Sequence, residues 1–140
     1  MTVRDIILAA IATRLAGLAD EIEIEPAGDP TADTSLGVTM AGDHVIEREA
    51  ALTRRVMTVT VDGFVVGEGG AAPTAARLAL HAGVVAELMA DETLGGTAEL
   101  IDDADLRLFT ATLSSERRLA FAQDFDIQFT TSRRDPALPA

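Results

Sequence analysis

The segment Leu119–Thr131 constrains this chain more than any other. Leu119, Phe121, Phe125, Ile127 and Phe129 fall on one side of it, broken only by Gln123. Ala120, Ala122, Asp124, Asp126, Gln128 and Thr130 fall on the other. A period of two is the mark of a strand with one buried face. Three of the chain's 5 Phe residues lie here, which predicts a central strand over the core. A second long run, Leu52–Val66, sets Met57, Val59, Val61 and Val65 against Arg54, Val56, Thr58, Thr60 and Asp62, and β-branched residues dominate it.

Two segments carry a helical period instead. In Thr2–Leu18 the apolar residues Ile7, Ile11, Leu15 and Leu18 recur at helical spacing, with Thr2 as N-cap and Asp5 near the positive helix end. Pro73–Ala90 is an Ala-rich helix with Pro73 in its first turn. Its expected core stripe is Leu78, Ala82, Val85 and Met89, with Arg77, His81, Val84 and Glu87 turned away, and Gly95-Gly96 stops it.

The remaining segments read as follows. Glu21–Glu25 alternates as a short strand, and 26–35 is a polar loop. Leu36–Met40 is a strand, Ala41–His44 a turn and 41–52 a charged hairpin. Thr97–Ile101 and Leu106–Leu113 are extended, interrupted by Asp102–Asp105, and Ser114–Arg117 is a turn. The expectation is one α+β domain over residues 1–132, with a mainly antiparallel sheet and two helices packed on one face, in the order α-β-β-β-α-β-β. Residues 133–140 read as a flexible C-terminal tail.

Composition narrows function. The chain has 140 residues, 23 acidic and 11 basic side chains and a formal charge of -12. That balance argues against broad nucleic-acid binding, which needs a basic face to displace counterions, and against an anionic membrane surface. Cys is absent, which excludes disulfides, thiolate metal sites and cysteine catalysis. All basic residues are Arg, which excludes a P-loop lysine and Schiff-base chemistry. The apolar run Ile6–Ala12 is too short to cross a bilayer, so the expectation is a soluble protein made in a cytoplasm.

Candidate chemical motifs fail on inspection. Asp102, Asp103 and Asp105 lack the central Gly and terminal Glu of a calcium loop. Gly67–Gly70 precedes a helix but has neither the dinucleotide nor the Walker spacing. Neither His44 nor His81 sits in a catalytic constellation, and Ser114-Ser115 has no nucleophile elbow around it. The expectation is no enzyme, with no catalytic residues, metal or cofactor. Arg54-Arg55 and Arg117-Arg118 stand out instead, because a doublet on a strand offers one guanidinium to each face. Carboxylates of a neighbouring copy are candidate partners, and solubilising charges at strand edges are the alternative.

The whole pattern resembles the small tail terminator proteins of long-tailed, siphovirus-like bacteriophages and related gene-transfer particles. The likeness rests on the immediate helix Arg4–Leu15, the charged hairpin, the strand Arg54–Val61 and the late strand Ala120–Thr131. It also rests on the helix exit Asp91-Glu92-Thr93-Leu94-Gly95-Gly96, where the family usually has Asp-Pro-Thr-Leu-Gly-Gly. The resemblance implies a homohexameric virion ring, assembled in the host bacterial cytoplasm. The ring docks on the tail-tube protein, stops tube growth and offers a surface for head-tail joining to a head-completion or connector protein. DNA passes through its bore. Acidic residues near Asp29, Asp33, Glu47 and Glu49 are candidates to line that bore, where like charge repels phosphate. Two other readings compete: a head-completion or connector neck protein, and a small intracellular domain with a ligand between sheet and helices.

Overall fold

The computed structural model describes residues 1–140. Seven elements follow in order: α1 (Val3–Leu15), β1 (Glu21–Ile24), β2 (Thr34–Arg48), β3 (Leu52–Val66), α2 (Ala71–Met89), β4 (Leu100–Leu113) and β5 (Glu116–Ser132). The strands form one sheet in the order β1-β2-β3-β5-β4. Only the β1–β2 pair is parallel. The fold is therefore α+β, with the expected element order.

Both helices cover one face of this sheet. From the strands, Leu36, Val38, Met57, Val59, Val61, Phe121, Phe125 and Ile127 enter the core. From the helices come Ile7, Ile11, Leu15, Leu80, Val84 and Leu88. In register, Val59 lies opposite Phe125 and Met57 opposite Ile127, so the two long strands present one continuous apolar surface. Burying each such side chain contributes about 1.5–3 kcal/mol. Gly63 is required by this packing: a Cβ there would sit 2.1 Å from the Phe121 ring. The helix ends are also specified. Thr2 and Asp5 form a reciprocal capping box on α1. At the exit of α2, Asp91 accepts from Thr93 Oγ1 and from the backbone of Thr93 and Gly95, and pairs with Arg14 of α1 at 2.7 Å. The resemblance motif is thus a cap that ties one helix to the other.

Three expectations need correction. The buried stripe of α2 is Leu80, Val84 and Leu88, while Leu78 is 53% exposed. Arg77 and His81, expected to face water, turn toward the sheet: His81 Nε2 meets Gln123 Oε1 at 2.8 Å, and Arg77 donates to the carbonyls of Phe109 and Ala120. Ala41–His44 is not a turn: Ala41 bulges within β2, Gly42 to His44 pair with β3, a second bulge falls at Ile46, and the chain reverses at Glu49–Ala51. Asp102–Asp105 likewise bulges within a continuous β4, where Gln123 Nε2 donates to Ala104 O. The segment 133–140 folds back on the domain: Val3 N donates to Ala137 O, Ser132 N to Leu138 O, and Thr131 bridges Pro139.

Candidate functional site

The face of the sheet away from the helices is open over most of its length, and the polar residues of the long strands gather there. Thr58 donates to Asp126 and Thr60 to Asp124 across the β3–β5 ladder. Asp102 of β4 lies directly opposite Asp126 in register. Arg107 reaches across Ala122 to grip Asp124 with two nitrogens, at 2.9 and 3.2 Å. That grip holds the Asp124 carboxyl below its ordinary range and raises Arg107 in turn. Asp62 is shifted the other way. Burial raises it, Arg107 opposes the rise, and Asp124 adds to it.

One end of this face is roofed by the loop 25–33. Arg118 holds the loop down, its side chain 1% exposed, donating to Ala32 O at 2.6 Å and Pro30 O at 3.4 Å. Glu21 holds it from the side, accepting from the backbone of Thr31 and Ala32. Asp29 accepts from Ser114 N, and Ser114 Oγ donates to Pro30 O. Ser114 and Ser115 both take left-handed φ (52° and 63°), as a tight two-residue β-turn requires, and the loop steadies this turn without glycine.

The predicted site residues therefore separate. The doublets do place their members on opposite faces. Arg54 pairs with Glu47 and Glu99 on the open face. Arg55, on the helix face, meets Thr131 and Asp43, and Asp43 also takes Arg4. Arg117 is exposed and unpaired. Arg118 is spent inside its own chain, so it has no guanidinium to offer a neighbouring copy. The acidic candidates do not gather either. Asp29 and Asp33 lie at one end of β2, Glu47 and Glu49 at the other. Between them run 13 or more residues, about 40 Å at ~3.3 Å per residue. The stronger acidic row is Asp102, Asp124 and Asp126, which alternation across β5 could have revealed. Between sheet and helices, where a small ligand is the competing expectation, only a smaller pocket opens, at the α1 start between Val3, Ala98 and Phe129. The larger pocket lies on the opposite face under the loop.

Two further features are open to partners. β4 is an edge strand, and every residue from Asp102 to Thr110 is exposed, including Leu106, Leu108 and Phe109. An unpaired edge offers backbone donors and acceptors to a further chain. The outer edge of β2 beyond Val38 has no strand beside it, and Ile46 is 51% exposed near the β2–β3 turn, while β3 stays paired to β5 and Arg4 of α1 holds Asp43.

No family model matches the chain, and no curated protein matches it in sequence. Its fold is similar to a cryo-EM structure of the PVC sheath/tube terminator of an extracellular contractile injection system, in the extended state. The TM-score is 0.51 at 11% identity, over 100% of this chain and 61% of that one. The likeness is one of fold, and this chain spans about three fifths of that protein's length. No helix is long and apolar enough to cross a membrane.

Proposed function

We propose that this protein terminates a tail tube as a structural component of a virion or a related particle. The observation that carries the reading is the likeness to a sheath/tube terminator along the whole of this chain. In this reading six copies form a ring on the last tube ring. They stop further polymerisation and present the opposite surface to a head-completion or connector protein. The open sheet face, the β4 edge and the outer edge of β2 supply the surfaces such an assembly needs. Arg54, Arg55 and Arg117 are candidate contacts to neighbouring copies or the tube. The row Asp102, Asp124 and Asp126, with Asp29, Asp33, Glu47 and Glu49, supplies negative charge that would let DNA slide past without sticking.

The test is to mix the purified chain with polymerising tail-tube protein and image the products by electron microscopy. The expected result is a ring on one end of each tube and shorter tubes as the chain is added. Bare tube ends with unchanged lengths would sink the reading. Rings bound to a head connector but never to tubes would move the protein one step further into the neck.

A further inference from the structure

The pocket under the 25–33 loop has a volume of about 200 Å³. Four carboxylates line it, Glu21, Glu23, Asp29 and Asp62, and no basic side chain does. Glu21 and Asp29 are occupied by backbone N–H groups, as described above. Glu23 and Asp62 accept no hydrogen bond, and Arg107, the cation whose charge acts on Asp62, is bonded to Asp124. The pocket also holds Ser35, 3% exposed, whose Oγ is buried with no hydrogen-bond partner. A buried hydroxyl left unpaired costs about 1–3 kcal/mol, so this pocket is built for a polar occupant. Phe64 adds an aromatic wall.

The occupant that satisfies these groups is a guanidinium. It is planar, carries five N–H donors for carboxylate and hydroxyl oxygens, and gains from an aromatic neighbour. Of the chain's own arginines, only Arg48, Arg117 and Arg134 make no ion pair or side-chain hydrogen bond. Arg48 ends β2 at the turn into β3, at the end of the sheet away from the pocket. It is 13 residues along β2 from Ser35, about 40 Å at ~3.3 Å per residue, so it cannot reach the pocket of its own chain. A neighbouring copy, with that end of its sheet set against the pocket, can supply it.

We propose that this pocket receives the Arg48 guanidinium of a neighbouring copy, in a head-to-tail contact. The inference rests on the ring reading above and names the contact that would build the ring. A turn that meets a different patch on the next copy is a heterologous interface, the kind that closes into rings when the rotation allows. Glu23 and Asp62 take the guanidinium, and Ser35 Oγ accepts from it.

Sedimentation velocity of the full chain over a range of concentrations tests this, with tube capping measured alongside. Arg48→Glu and Glu23→Arg are surface changes, and circular dichroism confirms their folding. Each is expected to weaken self-association at least tenfold, and the double variant R48E/E23R to recover most of the loss. Arg134→Glu, which makes the same change in charge outside the β2–β3 turn, is expected to associate like the parent. The proposal is overturned if R48E associates like the parent, if the double variant does not recover, or if R134E weakens association equally. In any of those cases a parent chain that still caps tubes leaves the terminator reading standing.

Discussion

The two faces of β5 are made by alternate residues of one strand, yet they do different work. Phe121, Phe125, Ile127 and Phe129 are at most 1% exposed and close-packed against α1 and α2. Asp124, Asp126, Gln128 and Thr130 face away, held by ladder contacts that leave them in reach of a partner. Stability resides on the first face, and the second is free to serve assembly. The largest expected effect breaks this comparison most directly. Phe125→Ala should cost about 3–5 kcal/mol in chemical denaturation, through lost burial and an unfilled cavity. Asp126→Ala should stay within about 0.5 kcal/mol, since it is exposed and loses one hydrogen bond to Thr58. Equal losses from both would mean that the open face is also structural.

The arginine doublet at the start of β5 repeats the contrast with a charge. Arg117 and Arg118 are neighbours, but only Arg118 lies under the 25–33 loop. Arg118→Ala removes the donor to two loop carbonyls and leaves a void, so it should cost about 2–3 kcal/mol. It should also speed amide exchange in 29–33. Arg117→Ala should change stability by less than about 0.5 kcal/mol. A loop that stays protected in the Arg118 variant would show that Glu21 and Ser114 suffice to hold it.

The same contrast explains what was legible in the sequence. The long strands and α1 were readable because a single period and a cap specify each. The helix α2 was readable as a helix but its buried face was not, because Ala surrounds it on all sides and beyond the first turn only Arg77, His81 and Glu87 break the apolar surface. Polar residues mark the wet side of most helices, but here two of them find partners over the sheet. The available signal was Gln123: a polar residue at an inward position of a Phe-rich strand needs a polar partner on whatever covers it. The bulges in β2 and β4 look like turns in sequence, because Gly-Asp and an Asp run are turn chemistry locally. The length of β3 and β5 should have outweighed them, since a 15-residue strand needs neighbours of similar length. The pocket was not legible, because it forms between residues of four separate segments.

The smallest expected effects separate two carboxylates of opposite character. Asp91 lies at the helix exit, where hydrogen bonds from the Thr93 side chain, Gly95 and Thr93 backbone, and Arg14 favour its charged form and hold it far below its ordinary value of 3.8. A carboxylate depressed in the folded state contributes stability that is present above its unfolded pKa and lost as pH falls through the folded one. Melting temperature in the parent should therefore fall more steeply below about pH 4 than in Asp91→Asn. Asp62 has the reverse sign. Burial beneath the loop raises it, so the folded state holds its proton longer than the unfolded one, and stability falls as pH rises above its unfolded pKa. Asp62→Asn should therefore melt higher than the parent at pH 7 and no differently near pH 3. A guanidinium in the pocket would cancel that cost, so the advantage of Asp62→Asn should shrink or reverse in the associated protein. An advantage that persists unchanged in the assembled form would mean that no cation ever reaches Asp62.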